Sequence, residues 1–259
     1  MRRGTASLLI GLTLALAALA AAGAAAAAGT ASKLVFCSDI TYPPEEFYQG
    51  SKPVGSDIEI GTAIAKQLGR TAQFDNTGFD GIIAALQAKK CDLVISGMND
   101  TAARRKQVDF VDYIRVGQSI MVKAGNPKGI KSLATLSGKS VAVEVGTTNK
   151  DFLDAASKKL KKGIKVVAFP KDTDAANALK AGRVDAYFGD SPVVAYYIQK
   201  DKSFAFAGAP INPIAVGIAV RKNDALKAQV QKAVTSMYKN GSMQKILAKW
   251  KMSATALKK

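Results

Sequence analysis

The chain has no histidine among its 259 residues. That excludes imidazole general bases, histidine-dependent triads and metal sites built on histidine. Its two cysteines, Cys37 and Cys91, are too few for a four-thiolate zinc site or an iron–sulfur cluster. Acidic residues are scarce beside basic ones, 20 against 37, which sets the formal net charge at +17. On its own such an excess fits nucleic acid or another anionic surface. With 48% hydrophobic residues the chain is too apolar for a disordered polymer, and its length suits one or two domains with real cores.

The first thirty residues change how that charge is read. Arg2 and Arg3 precede an uncharged stretch from Gly4 to Ser32, whose strongly apolar part near Leu8 to Leu19 decays into alanine and glycine. A basic start, a short apolar run and small residues at A-x-A sites describe a secretory signal peptide over residues 1–28, cleaved near Ala28. The rival, an uncleaved membrane anchor, wants about 20 consistently apolar residues, and alanine substitutes weakly for leucine there. Bulky Phe36 before Cys37 argues against lipid attachment. The expected location is the periplasm or the cell exterior. Loss of Arg2 and Arg3 takes two from +17 and leaves +15. An exported protein does not meet the genome, so nucleic acid is not an expected partner. The lysines read instead as a solvated basic surface, densest at Lys158, Lys159, Lys161 and Lys162, where a helix end suits cations.

An exported chain with two cysteines invites a disulfide. Spacing argues the other way. If Leu34–Ser38 and Cys91–Ser96 are neighbouring parallel strands, the cysteines stand near opposite ends, roughly three or four residues apart at about 3.3 Å each. A disulfide needs Cα atoms within about 7 Å. Free thiols are the expectation.

Beyond the leader, short apolar runs alternate with helix-period segments, the pattern of a parallel sheet with crossover helices. Strands are expected at Leu34–Ser38, Asp92–Ser96, Ser140–Val145, Lys165–Phe169, Val184–Gly189 and Ile214–Val220. Helices are expected at Ile58–Leu68, after an Asp80 cap, and at Asn149–Leu160, Thr173–Lys180, Val193–Gln199 and Ala225–Tyr238, with a short last helix ending near Trp250. One echo stands out: Ala85-Leu86-Gln87-Ala88-Lys89-Lys90-Cys91-Asp92 resembles Ala178-Leu179-Lys180-Ala181-Gly182-Arg183-Val184-Asp185. It suggests two similarly built α/β lobes facing each other across a cleft, where ligands bind beyond the carboxyl ends of strands.

Residues just past those strand ends suit an α-amino acid held without a covalent step. Arg104, in the first turn of a helix capped by Thr101, offers a planar fork for a carboxylate. Thr147 and Thr148 open a helix whose free N–H groups favour the same anion. Asp190 would meet the ligand ammonium, while Tyr42 and Phe79 would flank the side chain and exclude water. Each also fits a blander role, as a solvated arginine, a helix cap or a plain loop.

Order and spacing resemble a known family. Phe79-Asp80-Gly81-Ile82-Ile83-Ala84-Ala85-Leu86-Gln87-Ala88, then Cys91-Asp92-Leu93-Val94-Ile95-Ser96-Gly97-Met98, then Arg104 to Val108-Asp109-Phe110 look like the polar amino-acid substrate-binding proteins of ABC importers, the family-3 extracellular solute-binding proteins. So do Gly55-x-Asp57-Ile58-Glu59-Ile60, Val145-Gly146-Thr147-Thr148, Gly182-Arg183-Val184-Asp185-Ala186 and Ile246-Leu247-Ala248-Lys249-Trp250. The resemblance runs from about Lys33 to Lys251. It implies an α/β, two-lobed type-II periplasmic-binding-protein fold, each lobe a mostly parallel sheet flanked by helices. Lobe 1 would comprise 33–117 and 218–251, lobe 2 122–214, with hinge crossovers at 117–121 and 214–219. It further implies capture of an amino acid by closure and delivery to a membrane permease, by a monomer without cofactor, metal or catalysis. By position, Arg104 and Thr147 match the carboxylate-binding pair, Asp190 the ammonium-binding aspartate, Gly97 and Asn99 the backbone or hydroxyl contacts, and Tyr42 and Phe79 the flanking aromatics. Asn99 stands where Ser or Thr is usual, Ser56 replaces an aromatic after Gly55, and Glu45 replaces one after the prolines.

Asp39, Glu45 and Glu144 are expected near the distal part of the pocket, and surplus carboxylates favour a cationic ligand such as arginine, lysine or ornithine. A polar neutral ligand such as glutamine or histidine ranks next. The enzyme alternative is a cyclohexadienyl-dehydratase-like activity on the same fold, with Glu144 or Glu45 as general acid. Asp190 speaks against it, since it suits an amino acid better than a keto acid or an alcohol.

Overall fold

The computed structural model describes residues 32–257. The expected signal peptide, and the rival anchor reading, fall outside the described residues. From Lys33 onward the chain is one compact unit.

It begins with β1 (Lys33–Ser38), whose buried positions Leu34, Phe36, Cys37 and Ser38 leave only its start exposed. A small antiparallel sheet follows, β2 (Thr41–Tyr42), β3 (Glu46–Gln49) and β4 (Lys52–Val54). The first helix, α1 (Ser56–Gln67), carries Asp57 and Glu59 in its first turn and Lys66 in its last, the distribution its dipole favours. Strand β5 (Thr71–Asn76) returns beside β1, and α2 (Ile82–Gln87) crosses to β6 (Leu93–Val94). A single helical turn, α3 (Ala102–Arg105), precedes β7 (Val108–Lys123). The second half runs β8 (Ser140–Glu144), α4 (Thr148–Ser157), β9 (Lys165–Phe169), α5 (Asp172–Lys180), β10 (Ala186–Asp190), α6 (Ser191–Lys200) and β11 (Phe204–Phe206). Strand β12 (Ile211–Arg221) leads back to α7 (Leu226–Lys239) and α8 (Ser242–Lys249). Helix α7 buries Val230, Ala233, Val234 and Met237, a stripe at helical spacing.

Nine strands among the described residues join in the order β5-β1-β6-β12-β7-β10-β8-β9, with β11 on β7. β5, β1 and β6 are mutually parallel, as are β9, β8 and β10. The two parallel sets are linked by β7 and β12. Val108 to Gln118 pairs with β12, and Gln118 to Met121 then pairs with β10, so Gln118 faces both Ile211 and Asp190. Apolar cores sit on either side of that junction. Leu34, Phe36, Ile60, Ile64, Ile218 and Met237 belong to a core in the first half. Val141, Val143, Leu153 and Phe188 belong to one in the second.

Three expectations change. Cys37 and Cys91 form a disulfide, with Cα atoms 5.6 Å apart. The spacing argument put Cys91 at the start of a strand, but the ladder begins only at Leu93, with Cys37 opposite Val94. Cys91 lies in the connection from α2 and packs in one apolar cluster with Cys37, Ile82 and Leu86. Asp80 is no helix cap: it sits in a 3₁₀ turn, Phe79–Gly81, and α2 starts behind Gly81 without a side-chain cap. Val108–Lys123, left without an element except for an expected hinge crossing, is a single 16-residue strand.

Candidate functional site

The parallel strands of both halves end at one place, and the chain leaves them through loops rich in polar side chains. Thr101 caps α3 by accepting from the Arg104 backbone N–H at 3.2 Å. That short turn aims the guanidinium across to the second half. It donates to the Asn99 carbonyl at 2.8 Å and to the Gly146 carbonyl at 3.1 Å, while its carbon lies 5.3 Å from the Phe79 ring centroid. Burial lowers its pKa, and Asp151, Asp190 and Asp100 oppose that shift. A cation facing both halves therefore sits within the field of Asp190.

Asn99 makes a second crossing. Its amide oxygen accepts from the Thr148 hydroxyl, while its amide nitrogen is buried without a partner. Thr147 caps α4, accepting from the Lys150 N–H at 3.2 Å and donating to the Glu144 carbonyl at 2.8 Å. Its hydroxyl is thus committed locally, and the hydroxyl reaching the first half is that of Thr148. Gly97 has φ +45° and gives its N–H to Asp57 at 2.9 Å, so only its carbonyl remains for the expected backbone contact. A side chain there would run into Tyr42, since a Cβ would lie 3.0 Å from the ring. Tyr42 is buried, and its hydroxyl accepts from the Asp190 N–H at 3.2 Å, a third link between halves. Phe79 stacks on Arg104, so the two expected flanking aromatics have different partners.

Carboxylates crowd the rest. Asp39 accepts from the Thr41 hydroxyl at 2.7 Å and the Phe79 N–H at 2.8 Å, yet burial raises its pKa. Asp190, 2% exposed, accepts from the Asn149 amide at 3.2 Å and is pushed up to about 6, chiefly by burial. Glu144 has one carboxyl oxygen buried without a partner and is raised by burial and by Asp172 and Asp39. Glu45 is buried, not turned to solvent, and is raised by burial and then by Asp57 and Asp190. The basic groups acting on this set are Arg104 on Asp190 and Lys171 on Asp39.

Sequence reasoning missed three residues. Asp172 opens α5 just past the end of β9, accepts from the Tyr187 and Tyr197 hydroxyls, and is pushed up to about 7 by burial. The strand-end rule applied to Lys165–Phe169 points to it. Asn149 and Gln118 extend a buried chain, Asn212 donating to Gln118, Gln118 to Asn149 and Asn149 to Asp190. No local pattern marks Gln118, because its role depends on where β7 changes partners. Among the described residues no cluster of three or more potential ligands is placed to hold a metal ion.

This geometry has close parallels. A sequence model of the bacterial extracellular solute-binding proteins, family 3, matches residues 34–253. The arginine-binding extracellular protein ArtP of Bacillus subtilis is 31% identical over 221 residues, 84% of this chain and 86% of that protein. The solved structure of an ancestral arginine-binding protein bound to arginine superposes with a TM-score of 0.80 at 40% identity, covering 86% of this chain and 99% of that one. An ancestral amino acid-binding protein, AncCDT-1, described as a precursor of cyclohexadienyl dehydratase, gives 0.78 at 37%, covering 85% and 95%. The architecture is the two-lobed type-II periplasmic-binding-protein fold. The chain belongs to the bacterial extracellular solute-binding proteins, family 3.

Proposed function

We propose that this protein captures a cationic α-amino acid, such as arginine, lysine or ornithine, between its halves and delivers it to an ABC permease. Binding of an amino acid accords with the relatives, several of which are named for arginine. The observation that carries the cationic preference is the buried carboxylate set Asp39, Glu144, Asp172 and Asp190, each held above its ordinary range by burial. Buried charges of one sign are costly unless an opposite charge joins them. Two of the buried atoms without a partner have the matching polarity: a donor, Asn99 Nδ2, on the residue whose carbonyl holds Arg104, and an acceptor, Glu144 Oε1, among the acids. The ligand carboxylate would meet Arg104, Asn99 and the α4 N-terminus at Thr147 and Thr148. Its ammonium would meet Asp190, and its distal cation Glu144, Asp39 and Asp172.

Capture would proceed by closure about crossovers at 117–121 and 214–219, the ligand stabilising the closed form by touching both lobes. Lobe 1 would comprise 33–117 and 218–251, and lobe 2 122–214. The disulfide suits an oxidising compartment, in keeping with an export signal over 1–28. Calorimetry against the twenty common amino acids and ornithine tests the reading. The expected result is tightest binding of a cationic member at micromolar Kd or below, about 8 kcal/mol. Tightest binding of glutamate would remove the charge argument, and no binding of any amino acid would remove the function.

Glu144, raised above its ordinary range by burial, also suits a general acid, the specific feature favouring a dehydratase. Absorbance assays with arogenate and prephenate separate the two readings. No turnover is expected.

A further inference from the structure

The densest charge on the molecule lies away from the site. Strands β8 and β9 run toward the cleft, so Ser140 and Lys165 mark their far ends while Glu144 and Phe169 mark the near ones. Four residue steps at about 3.3 Å place that far end about 13 Å from the site, and α4 runs back to it from Thr147. There the chain segments are tied together. Gly138 donates to the Gly163 carbonyl at 2.7 Å, Lys165 to the Lys139 carbonyl at 2.8 Å, and the Lys162 N–H to Ser137 at 3.3 Å. Lys139, Lys158, Lys159, Lys161, Lys162 and Lys165 therefore converge on one end of the second half. All but the half-buried Lys139 are exposed.

Among the described residues no acidic side chain neutralises them. No aspartate or glutamate occurs in residues 113–143 or 155–171. Two acids on adjoining segments are already engaged, Asp154 by Lys150 and Asp185 by Lys128 and Ser140. Among the described residues, none of the six lysines makes an ion pair. One or two cations would satisfy the end of α4. Six unpaired lysines repel one another, and an external polyanion would relieve that repulsion.

We propose that this lysine face is a docking surface for an anionic lipid bilayer. Lysine is a compact, flexible point charge that attracts phosphate headgroups without fixed geometry, and each lysine near such a surface contributes about fivefold in affinity. Contact at the far end leaves the cleft and its Arg104 side unobstructed, so a tethered molecule can still take up ligand.

Co-sedimentation with vesicles tests this, using the same purified protein in every arm. The expected result is binding to phosphatidylcholine vesicles containing phosphatidylglycerol, abolished by 0.5 M salt (roughly 4 Å screening length), and little binding to phosphatidylcholine alone. The variant K158Q/K159Q/K161Q/K162Q should bind at least tenfold more weakly, while K232Q/K239Q/K245Q/K251Q, in the other half, should lose less than threefold. Circular dichroism and melting of both variants establish that they fold. Equal loss in the two variants would show that net charge alone acts and overturn the proposal. So would binding that ignores lipid charge, or capture of soluble polyphosphate without capture of vesicles.

Discussion

The helix-to-strand joints of the two halves are copies with one covalent difference. In the first, Lys89 takes φ 59° and Lys90 donates to the Ala85 carbonyl; in the second, Gly182 takes φ 73° and Arg183 donates to the Ala178 carbonyl. Both end their helix in the same left-handed wrap. Each then uses an aspartate to tie the incoming chain to a neighbouring strand. Asp92 gives its N–H to Val35 and accepts from Val35 in return, and Asp185 does the same with Ser140. Only the first joint adds a disulfide, through Cys91, where the second has Val184. The halves also load the cleft unequally: the first supplies Arg104 and Asp39, the second the acids Glu144, Asp172 and Asp190, with Lys171 acting on Asp39. The shared joint sets the framework, and the unshared residues decide charge and locking.

That comparison breaks most visibly at the disulfide. Cys37→Ala/Cys91→Ala releases a loop of 54 residues and should lower unfolding free energy in urea by about 4 kcal/mol. An unchanged midpoint would mean that hydrogen bonds alone hold the first joint, as they do the second. Arg104→Ala comes next, with a loss of about 3 kcal/mol in ligand binding by calorimetry, roughly a hundredfold in Kd. Binding within threefold of the unmodified protein would leave the first half without its assigned role.

Protonation probes the cleft acids of the second half. Asp172 at about 7 and Asp190 at about 6 lie above their ordinary 3.8, so the folded state binds more protons than the unfolded one in between. Stability without ligand should therefore fall as pH rises from roughly 4 to 7 and level off above. Affinity for a cationic amino acid should rise over the same window. Melting curves and titrations at pH 5 and 8 show whether the two trends oppose each other. The smallest effects lie in the joint itself. Gly182→Ala, at φ 73°, should cost about 1 kcal/mol, and Lys89→Gly, at φ 59°, should gain about 0.5 kcal/mol by the same conformational argument.

Much of the framework was legible because burial imprints period. The sequence places β9 at Lys165–Phe169, as observed, and helices α4 to α7 within a few residues of their bounds. The eight-residue echo marks a real structural repeat. Legibility failed where a segment serves two neighbours. Val108–Lys123 mixes polar and apolar residues because its first part pairs with β12 and its last with β10 and β11, so no single period runs through it. The strand-end rule brought Asp39, Asn99, Arg104, Glu144, Thr148 and Asp190 to one region. Motif spacing alone did not reveal that Gly97 and Thr147 spend their N–H and hydroxyl on Asp57 and Glu144.

Residue order alone determined the α/β alternation, the two-lobed family resemblance and the surplus of lysine, since each follows from local pattern or composition. Tertiary structure decided the disulfide, the carboxylate cluster and the lysine face. Those depend on which residues meet after distant strands choose their register, and a one-dimensional pattern does not carry that geometry.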